Sequence, residues 1–183
     1  MKVICFGDSN TYGYDPRGYF GGRYDADSRW VDILAVETGW TVYNMGQNGR
    51  EIPSAVPAFQ DDTDLLIVML GTNDLLQGRS PEQAAEWLKR VLCGGSLDRN
   101  KLFYRNKILI IAPPPMTLGE WVVSPQLIDD SHTFAKCCQA LAGQLGIRFA
   151  DAGKWNISLA YDGVHFTAQG HKAFAAGLLE ELR

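Results

Sequence analysis

Residues 3–10 read VICFGDSN, and this short stretch decides the fold class. Apolar residues that run directly into glycine and small polar residues are typical of a strand that is buried on both faces and ends at the functional edge of a parallel sheet. Further apolar runs follow along the chain, at residues 40–43, 65–70, 108–112 and 147–150. The pattern therefore predicts a sheet of five parallel strands.

Segments with helical periodicity alternate with these predicted strands. In the clearest of them, Ser80 is placed to cap a helix, Gln83 completes a capping box, and Gly94 supplies a stop. Another helix is predicted over residues 28–38, and a last one begins after Thr167. This alternation predicts a three-layer α/β/α architecture, doubly wound in the manner of flavodoxin.

The composition excludes several classes of protein. The chain has 183 residues and a net charge of −4, so it lacks the basic surface that nucleic-acid binding requires. No apolar run approaches the ~20 residues that span a bilayer, and no signal-peptide segment precedes residue 7. The four cysteines lack C-x-x-C spacing and fit free thiols in a reducing compartment. We predict a single domain over residues 1–183, a cytoplasmic location and no nucleic-acid or membrane partner; homo-oligomer formation is left open.

Small polar residues follow the predicted strands at several places. They occur at residues 7–10, 44–50 and 71–74 after the first three strands, and at 161–165 between the last strand and the last helix. Ligands bind beyond the carboxyl ends of the strands in open α/β sheets, so we expect these clusters to meet at one edge.

The residue types in these clusters suit acyl transfer. Ser9 is a weak nucleophile that needs a neighbouring base, and His165 is the side chain suited to take its proton. Asp162 precedes His165 by three residues, and a turn at Gly163 would fold its carboxylate back onto the imidazole. The Ser9 N–H, a backbone N–H in the loop after the second strand and the Asn73 amide are candidate donors to an oxyanion.

The same clusters resemble the sequence blocks of the SGNH (GDSL-type) hydrolase family. The blocks are GDS at residues 7–9, NMGQNG at 44–49, GTND at 71–74 and DGVH at 162–165, in the family's order. The resemblance is closest to the small bacterial arylesterase and acyltransferase branch. It implies the SGNH hydrolase fold and a serine esterase that hydrolyses small acyl esters, acetyl or short-chain, without a metal or cofactor.

The resemblance also assigns roles to individual residues. It implies the nucleophile, base and partner roles described above, and it assigns the loop donor of the oxyanion hole to Gly49. Gly46 is the second choice for that donor, and Asn73 supplies the side-chain donor. Family members commonly carry Leu after the nucleophile, whereas this chain has Asn10, which leaves the acyl-chain preference open.

Further residues are predicted to line the substrate pocket. Asn10, Tyr14 and Asp74 are expected to contact substrate, with Asp74 alternatively bracing its own loop. The aromatic residues within 12–24, together with Trp121, either form a wall of the pocket or cover the sheet edge or an oligomer contact.

Three other functions fit individual features of the sequence. Asp8 at the end of a strand could be a phosphoryl-transfer nucleophile, but no companion motif for Mg²⁺ is found. Acyl transfer to alcohols or sugars is an alternative, and so is a non-catalytic module that binds esters or glycans. His171 lies on the apolar stripe of the last helix and is predicted to be a core histidine rather than a second base.

Overall fold

The computed structural model describes residues 1–18, 22–54, 62–93 and 106–183. Helices are interspersed among its strands, as the sequence predicts, and a short pair of strands that was not predicted follows the first helix. In chain order they are β1 (Lys2–Gly7), α1 (Ser9–Tyr12), β2 (Tyr14–Asp15), β3 (Gly22–Arg23), α2 (Trp30–Thr38), β4 (Thr41–Gly46), β5 (Leu65–Met69), α3 (Thr72–Leu76), α4 (Pro81–Cys93), β6 (Ile108–Ala112), α5 (Pro125–Leu145), β7 (Arg148–Asp151) and α6 (Ala168–Leu182). A short 3₁₀ helix, Ala152–Lys154, follows β7.

The main sheet has five parallel strands in the order β4-β1-β5-β6-β7, which confirms the predicted doubly wound sheet. Strand β1 lies between β4 and β5, and its last residue, Gly7, pairs with Gly46 on one side and Met69 on the other. The chain changes direction across the sheet beside β1. Ser9, which follows β1, therefore lies at the switch point where ligands bind in such sheets.

Alternate side chains of the strands pack into two separate hydrophobic cores, one on each face of the sheet. In β1, Ile4 and Phe6 belong to one core and Val3 and Cys5 to the other. Helices α4 and α5 pack against the first face, and α2 and α6 against the second. The three inner strands β1, β5 and β6 are thus buried on both faces, which explains their near-continuous apolar sequence and confirms the three-layer prediction. The edge strands β4 and β7 are partly exposed, so the expectation of burial on both faces is wrong for them.

Two of the three predicted helix starts are confirmed, those at Ser80 and Thr167. Ser80 Oγ accepts a hydrogen bond from the Gln83 N–H (3.2 Å), and Gln83 Oε1 accepts one from the Ser80 N–H (3.0 Å). Thr167 caps α6 by accepting from the Gly170 N–H at 2.9 Å. Helix α2 begins at Trp30, two residues later than predicted. The proposed stop at Gly94 lies outside the described residues, and within the described ranges no helix is long and apolar enough to cross a membrane.

His171 lies inside the core between α6 and the sheet. It is fully buried, and its ring packs edge-on against Tyr24 and Phe166 with centroids 5.3 and 5.2 Å away. Burial lowers the pKa of His171 to about 3. The prediction of a core histidine is confirmed.

Candidate active site

Ser9, His165 and Asp162 form a hydrogen-bonded row at the carboxyl edge of the sheet. His165 Nε2 lies 3.0 Å from Ser9 Oγ, and His165 Nδ1 lies 2.7 Å from Asp162 Oδ2. All three residues are buried, with 5% or less of each exposed. These distances suit transfer of the serine proton to an imidazole whose other nitrogen is held by a carboxylate.

A tight turn brings Asp162 back onto His165. Asp162 Oδ1 accepts hydrogen bonds from the backbone N–H groups of Val164 and His165, both at 2.9 Å, while Oδ2 faces the imidazole. Gly163 at the centre of the turn has φ +82°, and a Cβ there would overlap the carbonyl oxygen of Thr117. Glycine is therefore required at this position, where the sequence predicted a turn.

The carboxyl groups beside Ser9 and His165 have opposite pKa shifts. Burial by itself would raise the pKa of Asp162, but the hydrogen bonds from His165 and Val164 outweigh it and hold the pKa below its ordinary value. Asp8 caps α1 through a 2.9 Å hydrogen bond from the Asn10 N–H. Burial raises the pKa of Asp8 to about 6, against the opposing effects of that hydrogen bond and of nearby His165 and Arg50.

The side chain of Asn10, which the sequence predicted to face the substrate, bonds the protein backbone instead. Its side chain is buried, its Nδ2 donates to the Val164 carbonyl (3.1 Å), and its Oδ1 accepts from the Phe166 N–H (2.9 Å). Its own carbonyl accepts from the Trp30 indole at 3.0 Å. Both polar atoms of the amide form hydrogen bonds to backbone groups on either side of His165, so we assign Asn10 to positioning that residue.

Asp74 likewise braces its own loop instead of facing substrate. Its carboxylate is fully buried, accepts from the Ile52 N–H at 3.0 Å and pairs with Arg79. Arg79 also bonds Glu51 at 2.9 Å. The prediction of substrate contact is thus replaced by the alternative stated with it, because a carboxylate in this position is occupied by protein donors.

The candidate oxyanion donors follow three adjacent strands: β1, β4 and β5. Gly46 donates its N–H to Asn44 Oδ1 (2.9 Å), which favours Gly49 as the loop donor. Gly49 is exposed and has φ +69°. Asn73, near the start of α3, donates one amide hydrogen to the Arg50 carbonyl (3.1 Å), and an amide carries a second hydrogen for a ligand.

Arg50 joins these loops, and sequence reasoning gave it no role. Its guanidinium donates to the carbonyl oxygens of Gly7 (2.9 Å) and Met45 and to Gln47 Oε1 (2.9 Å). It also lies over the Phe6 ring, 4.4 Å from the centroid. One side chain thus ties the ends of β1 and β4 together, and the Arg50 carbonyl holds Asn73. The indication available in the sequence was a lone arginine directly after the glycine of a polar loop.

Aromatic rings flank His165. The centroid of Tyr14 lies 4.6 Å and that of Trp121 lies 4.9 Å from the centroid of the imidazole. Tyr24, by contrast, is buried in the core. The predicted aromatic stretch therefore divides between site and core, and its Tyr19 and Phe20 lie outside the described residues. In the part of the chain that the structure describes, no group of three or more His, Cys, Asp or Glu could hold a metal ion.

The fold and the site together define a class, the carboxylic ester hydrolases of the SGNH type. The model of the GDSL-like lipase/acylhydrolase family matches residues 5–173, and the chain belongs to that family.

Solved structures agree with this assignment. The aryl esterase of M. smegmatis is 26% identical, with a TM-score of 0.80 over 100% of this chain and 98% of that chain. A carbohydrate acetylesterase family member from Sinorhizobium meliloti is 25% identical, with a TM-score of 0.81 over 100% of this chain and 97% of that one. Comparison with curated protein sequences gives no match.

Proposed function

We propose that this protein is a serine esterase that hydrolyses small acyl esters, acetyl or short-chain, through an acyl-enzyme on Ser9. The observation that carries the proposal is the row of hydrogen bonds from Ser9 Oγ through His165 to Asp162, at 3.0 and 2.7 Å. A serine with a base in reach, and a base with an orienting carboxylate, is the arrangement that nucleophilic catalysis requires.

In the proposed mechanism, Ser9 Oγ attacks the ester carbonyl carbon while His165 Nε2 takes its proton. The carbonyl π-bond breaks, and the oxyanion is held by the N–H groups of Ser9 and Gly49 and by the Asn73 amide. Collapse of the intermediate expels the alcohol, which receives the proton from His165. Water then attacks the acyl-enzyme with His165 as base, which releases the acid and restores the Ser9 hydroxyl. Asp162 keeps the imidazole in one orientation and stabilises its charged form.

Preference for a small acyl group is supported by the enclosure of Ser9, of which 5% is exposed. Similar structures carry the titles aryl esterase and carbohydrate acetylesterase, so both aryl and sugar acetates belong in the first substrate panel. The four free thiols suit the reducing cytoplasm, and we keep this location, and one hydrolase domain over the chain, as part of the proposal.

The experiment is hydrolysis of p-nitrophenyl acetate by wild type, Ser9→Ala and Ser28→Ala. Ser28 hydrogen-bonds Asp27 on the segment before α2, so its variant is a matched control for loss of a hydroxyl. Ser9→Ala should lose at least about 10³-fold in kcat without loss of folding, because the nucleophile is gone. Retention of most of the turnover by Ser9→Ala would refute the assignment.

Acyl transfer to an alcohol is the second candidate. The aromatic rings of Tyr14 and Trp121 against His165 favour it, because apolar surface beside the imidazole limits the access of water to an acyl-enzyme. Product analysis with an added alcohol distinguishes the two reactions. An ester of the added alcohol is expected if transfer operates, and formation of free acid alone rejects this candidate.

A further inference from the structure

Trp121 presents a free aromatic surface beside the imidazole of His165. The two rings meet edge-to-face, with centroids 4.9 Å apart and planes at 81°. Trp121 is 49% exposed, whereas His165 is 2% exposed. The indole therefore covers a buried imidazole with one part and leaves the rest open to a ligand.

The backbone holds this indole in a fixed place. The 117–121 strap, the segment that follows β6 and carries Trp121, is joined by three backbone hydrogen bonds to the turn that contains Asp162 and His165. They run from Thr117 N to Gly163 O (3.0 Å), from Glu120 N to Tyr161 O (3.1 Å) and from Trp121 N to Asp162 O (3.1 Å). At Gly119 a Cβ would overlap the backbone of Asp162. Strap and turn are thus packed backbone to backbone, so the segment that carries the indole is held beside His165 before any substrate arrives.

Several exposed apolar residues lie near Trp121 in the chain, beside the exposed Glu120. Leu118 lies on the strap and is 63% exposed. Val123, two residues after the strap, is 82% exposed, and Tyr161, on the turn that the strap binds, is 60% exposed. Tyr14 contacts the same imidazole at 4.6 Å. Exposed apolar residues collected around a buried reactive group are typical of a ligand-binding surface rather than of scattered surface hydrophobics.

The mechanism decides which half of an ester meets this surface. The carbonyl oxygen must face the donors that follow β1, β4 and β5, whereas the alcohol oxygen receives its proton from His165 Nε2. Trp121 follows β6 and contacts His165, so it lies on the alcohol side of the reacting carbon. We propose that Trp121 forms the binding site for the alcohol half of the substrate and selects alcohols that carry a ring with a flat C–H or aromatic face. This inference rests on the proposed esterase function.

The test compares acetates that share one acyl group and differ in the alcohol. The substrates are benzyl acetate, methyl 6-O-acetyl-glucopyranoside and ethyl acetate, and the quantity is kcat/KM for each ring ester divided by that for ethyl acetate. Division by the ethyl acetate value, followed by comparison between variants, cancels the intrinsic reactivity of each ester. Separate benzyl and sugar arms distinguish an aromatic alcohol from a carbohydrate as the source of the ring.

Trp121→Leu keeps apolar bulk without a flat face, and Trp121→Phe keeps the face. Trp121→Leu should lower the ratio about three- to tenfold in at least one arm, the amount an aromatic contact contributes, and Trp121→Phe should restore most of it. Val36→Ala, at an exposed apolar position on α2 and outside this surface, should leave both ratios unchanged.

The outcomes separate this inference from the function on which it rests. Equal losses for all three esters in Trp121→Leu, with ratios unchanged within about twofold, would overturn the binding site and leave Trp121 as a support for His165. Absence of ester hydrolysis by the wild-type protein would instead refute the esterase proposal itself.

Discussion

Asn10 and Phe166 are joined by a hydrogen bond of 2.9 Å from the Phe166 N–H to Asn10 Oδ1, and the same amide donates to the Val164 carbonyl. The residue after Ser9 therefore holds the chain on both sides of His165. Asn10→Ala leaves the buried Phe166 N–H without a partner, so we expect a loss of about 1–3 kcal/mol in the free energy of unfolding. We also expect kcat for p-nitrophenyl acetate to fall about tenfold at unchanged KM, because His165 loses its alignment with Ser9.

Asn106→Ala, at an exposed asparagine, is the matched control and should change neither quantity. A rise in KM with unchanged kcat for Asn10→Ala would contradict the positioning role. It would return Asn10 to the contact with substrate that the sequence suggested.

Arg50 supports a second prediction, about the oxyanion donors. In Arg50 one guanidinium nitrogen bonds Gly7 and Met45 and a second bonds Gln47, and the single nitrogen of a lysine cannot occupy both positions. Arg50→Lys should therefore lower kcat about tenfold or more through misplacement of the Gly49 loop, with KM changed less than about threefold. Steady-state kinetics with p-nitrophenyl acetate measure both quantities.

Arg90→Lys, on the exposed face of α4, controls for the substitution itself and should be neutral. Full kcat in Arg50→Lys would show that the guanidinium does not position the donors.

Asp8 gives a prediction about stability and pH. Its pKa is raised by burial to about 6 in the folded protein, against about 3.9 for an unfolded aspartate. Between about pH 4 and pH 6 the folded state holds the proton and the unfolded state does not, so stability falls as the pH rises through this window. Above pH 6 the buried charge lowers stability by about 1–3 kcal/mol.

Asp8→Asn removes this charge and can still accept the Asn10 N–H, as a capping residue does. Urea unfolding at pH 7.5 should show the variant more stable than wild type, with the difference vanishing toward pH 4. The exposed Asp129→Asn should show no such trend. A variant less stable than wild type by the same amount at every pH would contradict the account.

Much of the fold was predictable because its determinants are local. Strand β1 is buried on both faces, so its apolar sequence is continuous, and the Ser80 capping box is complete within four residues. The turn at Gly163 was predictable for the same reason, since Asp162 bonds residues two and three positions later.

The remaining features depend on contacts between distant parts of the chain. Asn10 pairs with residues more than 150 positions away, so its sequence neighbours could not reveal whether it faces substrate or the backbone beside His165. Asp74 meets Ile52, 22 residues earlier, only once the loops after β4 and β5 are assembled. Helices α1 and α3, of four and five residues, are too short to show a periodic apolar stripe.

Covalent labelling by a fluorophosphonate tests the central claim most directly, because only a serine activated by a neighbouring base attacks the phosphorus and displaces fluoride. Intact-protein mass spectrometry of the wild type should show one phosphonyl adduct, mapped by peptide digestion to Ser9, and Ser9→Ala should show none. An unlabelled wild type would favour a non-catalytic ester- or glycan-binding module, and an equally labelled Ser9→Ala would place the nucleophile elsewhere; either result contradicts the account.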